Sequence, residues 1–236
     1  HLLGDDVLNG AMTLILTTCV ISSVVTERTA RKLAIKRRSE AVHEAADPST
    51  PDRILIALSN PDTMVSLVNL SLMLRTPHTA APITALHVVL EDDPDARQTG
   101  LELLQQATRM AAAANVRIQT YSRWSVNVVS GISHTIKENA VSDLVIGLHR
   151  KARLTESFYG KLSTDLLAAV ERQIMIYRAT IPLNTVRHLR VLLPRKVEFE
   201  PGFAHAMHRL ELLAGQISCA VDVYSGKETL AALKAY

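Results

Sequence analysis

The chain has 236 residues, of which 47% are hydrophobic, 21% charged and only 4% aromatic. The apolar share is large enough to build a core, which excludes a wholly disordered chain. The two cysteines, Cys19 and Cys219, are too few for a disulfide framework. A formal net charge of +3 is too small to indicate a nucleic-acid-binding protein.

A run of twenty residues from Val7 to Thr26 carries no charge, and 12 of them are apolar. Twenty helical residues span about 30 Å, the thickness of a bilayer core. The remaining glycine, asparagine and hydroxyl residues are typical of a helix packed among others in a membrane bundle. Six basic residues follow between Arg28 and Arg38, and the positive-inside rule places that flank in the cytoplasm. The alternative is a buried helix of a soluble domain followed by a solvated basic helix.

Beyond a polar linker that ends at Pro51, the pattern changes to short apolar runs separated by helical stretches. The apolar runs predict strands over residues 53–59, 82–90, 116–121, 143–147 and 174–178. Helices are predicted between them, over residues 60–75, 94–114, 125–138 and 163–171. Because strands and helices alternate strictly, we expect an α/β fold with a parallel five-stranded sheet and helices on both faces.

A second strand–helix–strand pattern begins near Leu189. It predicts strands at 189–194 and 217–224, a helix at 200–213 and helical character from Lys227 onward. Such a half-domain cannot bury its own apolar faces, so we expect a fragment of a longer protein or a unit that packs on the first domain. The predicted organisation is an apolar helix at 1–27, a basic juxtamembrane helix and linker at 28–51, an α/β domain at 52–184 and a partial second α/β domain at 185–236.

The glycine pattern after the fourth strand resembles that of the universal stress protein family. Its ATP-binding members carry G-x2-G-x9-G-[ST] there, and this chain has Gly147, Arg150, Gly160 and Lys161 in that register. The outer glycines match, whereas Arg150 replaces the middle glycine and Lys161 replaces the hydroxyl residue. The resemblance covers residues 52–178 and implies the same five-stranded fold, with a second copy beginning near Arg187.

The resemblance also implies a nucleotide site with ATP or AMP as the ligand, although no cofactor is certain. Nucleotide-binding members place an aspartate at the end of the first strand, where this chain has Ser59. The candidate ligand contacts are the residues of the glycine pattern together with neighbours on the strands and the following helix: Ser59, Val88, Gly147, Arg150, Gly160, Lys161 and Ser163. Independently, a glycine-containing loop that leads into a helix offers free N–H groups to an anion. The alternative is a solvated basic loop that binds nothing.

Residues 9–34 resemble the last membrane helix and cytoplasmic exit of bacterial cation/proton antiporters of the sodium/hydrogen exchanger type. Some of these carry tandem domains similar to universal stress proteins at the cytoplasmic C-terminus. The resemblance implies a regulatory tail in the inner (plasma) membrane, cytoplasmic after about residue 27, whose partner is the membrane domain of the same transporter. A homodimer is expected from the family. The alternative is a stand-alone nucleotide-binding universal stress protein.

The sequence gives no reason to expect an enzyme, because no Walker A motif, nucleophile–base pair or metal set is evident. His205, His208 and Glu211 share a helical spacing that could place three metal ligands on one face. An ordinary amphipathic face explains the same spacing, so we predict no metal site. We likewise expect no catalytic residue and no nucleic-acid partner.

Overall fold

A computed structural model describes residues 10–23, 25–26, 52–77, 79–90, 94–148 and 160–234. Helix α1 comprises residues 10–23 and 25–26. Five strands follow along the chain: β1 Ile54–Ala57, β2 Ile83–Val89, β3 Ile118–Trp124, β4 Asp143–Gly147 and β5 Gln173–Tyr177. Four helices connect them: α2 Pro61–Met73, α3 Pro94–Ala113, α4 Val128–Glu138 and α5 Gly160–Ala169.

The five strands form one sheet in the order β3-β2-β1-β4-β5, and every neighbouring pair is parallel. Apolar residues are buried on both faces of this sheet. One cluster packs beneath α2 and α3 and includes Ile56 and Leu67, and the other packs beneath α4 and α5 and includes Leu55 and Leu166. The predicted α/β fold with helices on both faces is therefore confirmed.

The second unit consists of β6 His188–Leu192, α6 Phe203–Ile217, β7 Ala220–Tyr224 and α7 Lys227–Lys234. β6 and β7 pair in parallel as a separate two-stranded sheet. Helix α6 packs against α2, and Leu213 lies against the apolar cluster of the first domain. The second unit therefore buries part of its apolar surface on the first domain, which is one of the two arrangements expected for an incomplete repeat.

Several element boundaries differ from the sequence prediction. Helix α5 begins at Gly160 instead of residue 163, and α6 continues to Ile217, so β7 begins at Ala220 instead of residue 217. Strand β3 continues to Trp124 instead of ending at Tyr121. No apolar run marks these last residues in the sequence, because β3 is an edge strand whose polar side chains remain exposed. Helix α4 accordingly begins at Val128 rather than at residue 125. Asn127 caps it by accepting a hydrogen bond from the Ser130 backbone N–H at 2.8 Å.

Seven large apolar side chains on α1 are exposed: Met12, Leu14, Ile15, Leu16, Val20, Ile21 and Val25. Within the part of the chain that the structure describes, no helix combines the length and the apolarity needed to cross a membrane. The helix predicted over residues 7–26 is thus present over its described part, and its placement in a membrane stays a prediction. The basic segment 28–38 lies outside the described residues.

Gly100 on α3 faces the side chain of His87 on β2 at close range. A methyl group there would lie 2.2 Å from Cδ2 of His87. His87 is held in place because its Nδ1 donates a hydrogen bond to the Leu58 carbonyl at 2.9 Å. Alanine at position 100 would therefore displace a ring that bridges β2 and the segment after β1.

We expect Gly100→Ala to lower the free energy of unfolding by about 1 kcal/mol or more, as overpacking in a core does. Gly215→Ala is the matched control, because no atom lies within 4 Å of a methyl group at that position of α6. The control should raise stability by a few tenths to about 1 kcal/mol through helix propensity. Urea denaturation of the two variants measures both effects. Equal changes in both would contradict the close contact with His87.

Candidate functional site

The strand order places a topological switch point between β1 and β4. From β1 the chain proceeds to β2 and β3 on one side, and then returns to β4 and β5 on the other. Helix α2, which follows β1, packs on one face of the sheet, and α5, which follows β4, packs on the other. This divergence defines a switch-point crevice beyond the carboxyl ends of these two strands. Ligands of open α/β sheets bind in this crevice.

Ser59 and Gly147 are brought together at this edge. Ser59 is exposed just after β1, and Gly147 is the last residue of β4. Asn60 begins α2 by accepting a hydrogen bond from the Asp62 N–H at 2.9 Å, as the Asn-Pro-Asp sequence predicts. The amino end of α2 thus lies at the crevice, but Pro61 has no N–H there and the Asp62 carboxylate adds a negative charge to this end.

Gly147 also has a packing role. A methyl group at this position would lie 3.2 Å from Thr63 and from Leu67 on the first turns of α2. The absence of a side chain allows α2 to pack directly against the end of β4. The glycine that the family motif assigns to a ligand therefore also brings α2 and β4 together at the crevice.

The remaining predicted contacts differ in accessibility. Gly160 begins α5, and Lys161 is exposed on its first turn. Ser163 is 5% exposed, so its hydroxyl faces the domain interior. Val88 is half-buried and packs against Gly131 of α4. Arg150 lies outside the described residues. Contact between any of these residues and a ligand stays a prediction.

A second concavity lies farther along the same edge, beyond β2 and β3. Its volume is about 300 Å³, and it is lined by Val89, Arg97, Ser122 and Trp124. The Trp124 side chain is 61% exposed. An exposed indole beside a guanidinium and a hydroxyl offers a stacking surface and hydrogen-bond donors. No sequence motif indicates this concavity.

A buried ion cluster occupies the opposite, amino edge of the sheet. The guanidinium of Arg209 on α6 donates two hydrogen bonds to the Asp143 carboxylate, from Nε at 3.0 Å and from Nη2 at 2.5 Å. It also donates to Asp52 and, at 2.9 Å, to the Leu74 carbonyl. His205 Nε2 lies 2.8 Å from Asp143 Oδ1. We call these four side chains, Asp52, Asp143, His205 and Arg209, the Arg209 cluster.

Three members of the cluster are shielded from solvent, with side chains 0% exposed for Asp143, 4% for Arg209 and 7% for Asp52, whereas the His205 side chain is 26% exposed. Burial by itself raises the pKa of Asp143. Hydrogen bonds and charge attraction from His205 and Arg209 outweigh burial and lower this pKa from 3.8 to about 2. The same carboxylates raise the pKa of Arg209 against the opposing effect of its burial. Asp143 and Arg209 are therefore both charged throughout the physiological pH range.

His205 was a candidate metal ligand in the sequence, together with His208 and Glu211. The structure directs its imidazole to Asp143 instead. Among the described residues, no group of three or more His, Cys, Asp or Glu side chains is arranged to hold a metal ion. His205 and His208 thus lie on one face of α6, and His205 contacts the first domain through Asp143.

No protein-family model matches the sequence, and no curated protein matches it. Several solved structures are similar. A protein of unknown function from Pseudomonas aeruginosa superposes with a TM-score of 0.57 at 14% identity, covering 79% of this chain and 66% of that one. A universal stress protein from Archaeoglobus fulgidus gives a TM-score of 0.47 at 12% identity, covering 53% of this chain and 97% of that one.

A universal stress protein family protein from Arabidopsis thaliana, with AMP bound, gives a TM-score of 0.42 at 17% identity, covering 55% of this chain and 93% of that one. At identities this low, similarity concerns the fold. The Pseudomonas match covers more of the chain than the five-stranded sheet spans, so it extends beyond the first domain.

Proposed function

We propose that the α/β domain binds a nucleotide, or another phosphate-containing anion, at the switch point between β1 and β4. One observation carries the proposal: the strand order sets the end of β1, followed by Ser59, beside the end of β4 at Gly147, at the switch point of the sheet. Helix α5 begins after the loop that leaves β4, with Lys161 exposed on its first turn. Helix amino ends and a lysine are the groups that recognise phosphate in many proteins.

The proposed role is binding and regulation rather than catalysis. The sequence has no Walker A motif, and Ser225-Gly226-Lys227-Glu228 lacks both the earlier glycine and the hydroxyl after the lysine. Binding energy alone is then the means by which a ligand acts, by favouring one conformation of the protein over another. AMP and ATP are the first ligands to test, because the glycine pattern resembles that of ATP-binding universal stress proteins.

Isothermal titration calorimetry of the full chain with AMP and with ATP tests the proposal. We expect a micromolar dissociation constant for at least one nucleotide. Lys161→Gln should weaken binding by about tenfold, the equivalent of one charge-assisted hydrogen bond. Lys137→Gln is the matched control, since Lys137 is exposed at the far end of α4. No heat of binding with either nucleotide would contradict the proposal.

We further propose that this domain regulates a cation/proton antiporter of the plasma membrane, with the residues after about 27 in the cytoplasm. Support comes from the resemblance of residues 9–34 to an antiporter's last membrane helix and from the exposed apolar side chains of α1. The partner is then the membrane domain of the same protein, in a homodimer. A stand-alone nucleotide-binding protein of the universal stress type is the alternative.

Measuring ion transport by the complete gene product in membrane vesicles distinguishes the antiporter-regulating role from the stand-alone nucleotide-binding protein. Deleting residues 52–236 should change the dependence of exchange on pH or nucleotide while a basal exchange activity persists, because the ion-exchange residues of antiporters lie in other helices. Regulation that is unchanged by the deletion would contradict the regulatory role. A gene product without any exchange activity would favour the stand-alone alternative.

A further inference from the structure

Arg209 contacts three elements of the first domain at the amino edge of the sheet, opposite the crevice. Asp52 lies two residues before β1, Leu74 is the C-cap of α2, and Asp143 is the first residue of β4. The guanidinium donates hydrogen bonds to all three residues. Arg209 itself belongs to α6, so a side chain of the second unit joins these ends.

The opposite ends of the same three elements form the crevice. Ser59 follows β1, Asn60 caps α2, and Gly147 ends β4. A methyl group on Gly147 would lie 3.2 Å from Thr63 and from Leu67 of α2, so α2 and the end of β4 lie close together at this edge. The Arg209 guanidinium thus binds β1, α2 and β4 at the amino edge of the sheet, and the opposite ends of the same three elements shape the proposed ligand site.

The contact is of a kind that fixes position. A guanidinium is a planar fork with donors in fixed directions, and it binds Asp143 through two of them. Asp52 and Asp143 are further held by hydrogen bonds from the Thr76 N–H at 2.6 Å and the Ser142 hydroxyl at 2.7 Å. A displacement of α6 must therefore break several buried, charge-assisted hydrogen bonds or move β1, α2 and β4 with it.

We propose that Arg209 is a positioning residue through which the second unit sets the nucleotide affinity of the crevice on the first domain. The inference rests on the proposed nucleotide site. Because coupling between two sites is reciprocal, a nucleotide that binds the crevice also strengthens the docking of α6. The second unit then both senses the ligand and controls the affinity for it.

The experiment compares the full-length wild type with Arg209→Lys and with Arg190→Lys. Lysine keeps the charge at position 209 but cannot make the forked contacts, and Arg190 is an exposed residue on β6 of the same unit. We expect AMP to bind Arg209→Lys about fivefold or more weakly than the wild type, and Arg190→Lys as tightly as the wild type. Circular dichroism verifies that the variants are folded.

Hydrogen exchange supplies a readout that a merely structural role would not change. AMP should slow amide exchange in α6 of the wild type, although α6 docks on the edge of the sheet opposite the proposed ligand site. AMP should not slow this exchange in Arg209→Lys. The wild-type measurement needs no variant, so it tests the coupling between the ligand and α6 even where Arg209→Lys is unfolded.

The outcomes separate the two proposals. A folded Arg209→Lys with unchanged AMP affinity, or a wild type in which AMP leaves the exchange of α6 unaltered, overturns the positioning role while nucleotide binding stands. A wild type that binds neither AMP nor ATP overturns the proposed nucleotide site, and the coupling to it falls with that site.

Discussion

Arg209→Met is expected to lower the free energy of unfolding by about 3–5 kcal/mol, as the loss of one partner from a buried ion pair does. Methionine matches much of the volume of arginine, so the effect comes from charge rather than from a cavity. It leaves Asp52 and Asp143 buried next to each other without their shared cation. It also removes the donor to the Leu74 carbonyl. Urea denaturation followed by circular dichroism measures the loss.

Arg190→Met is the matched control, because it removes the same charge from an exposed position of the second unit and should change stability by less than about 0.5 kcal/mol. A double variant, Asp52→Asn with Arg209→Met, should recover part of the loss, because one of the two uncompensated charges is gone. Equal stability of Arg209→Met and the control would show that the cluster does not hold the second unit on the first domain.

The elements of the first domain could be predicted from the sequence because their signals are local. β4 is a buried apolar run that begins at Asp143 and ends at Gly147, as predicted. The start of α2 is marked by Asn60 and Pro61, a cap and a first-turn residue. The end of β3 could not be predicted in this way, since Ser122 and Arg123 on an edge strand do not form an apolar run.

The crevice was partly predictable, because residues that follow parallel strands meet at one edge of the sheet. That rule places Ser59 near Gly147 without any knowledge of side-chain contacts. The burial of Ser163 could not be inferred in the same way, because it depends on which face of α5 packs on the sheet. The packing of α2 against Gly147 likewise depends on how a helix lies across the sheet.

The ion pairs of Arg209 with Asp52 and Asp143 had no sequence signal. The partners are separated by 66 and 157 residues, and each is unremarkable in its own segment. Asp143 is a polar residue at the start of a strand, and Arg209 is a basic residue on an amphipathic helix. Only the docking of α6 on the amino edge of the sheet makes them a cluster. Contacts of this kind depend on how two units pack, which a single sequence does not show.

Stability should fall in acid more steeply in the wild type than in Asp143→Asn. The pKa of Asp143 is about 2 in the folded protein, against an ordinary value of 3.8. Between these values the unfolded chain binds more protons than the folded one, so stability rises with pH in this range. The stabilisation of about 2 kcal/mol is therefore complete above the ordinary pKa and is lost as pH falls through it toward about 2.

Urea denaturation at about pH 6 and about pH 3 measures this effect, since roughly half of the stabilisation is lost by the lower pH. The loss of stability between the two pH values should be about 1 kcal/mol smaller in Asp143→Asn than in the wild type, because the variant has no carboxylate to protonate there. Asp165→Asn, an exposed position on α5, should retain the wild-type dependence. If Asp143→Asn and the wild type lose the same stability, the carboxylate is protonated at its ordinary pKa. Its contacts with His205 and Arg209 are then too weak to join the two units through charge.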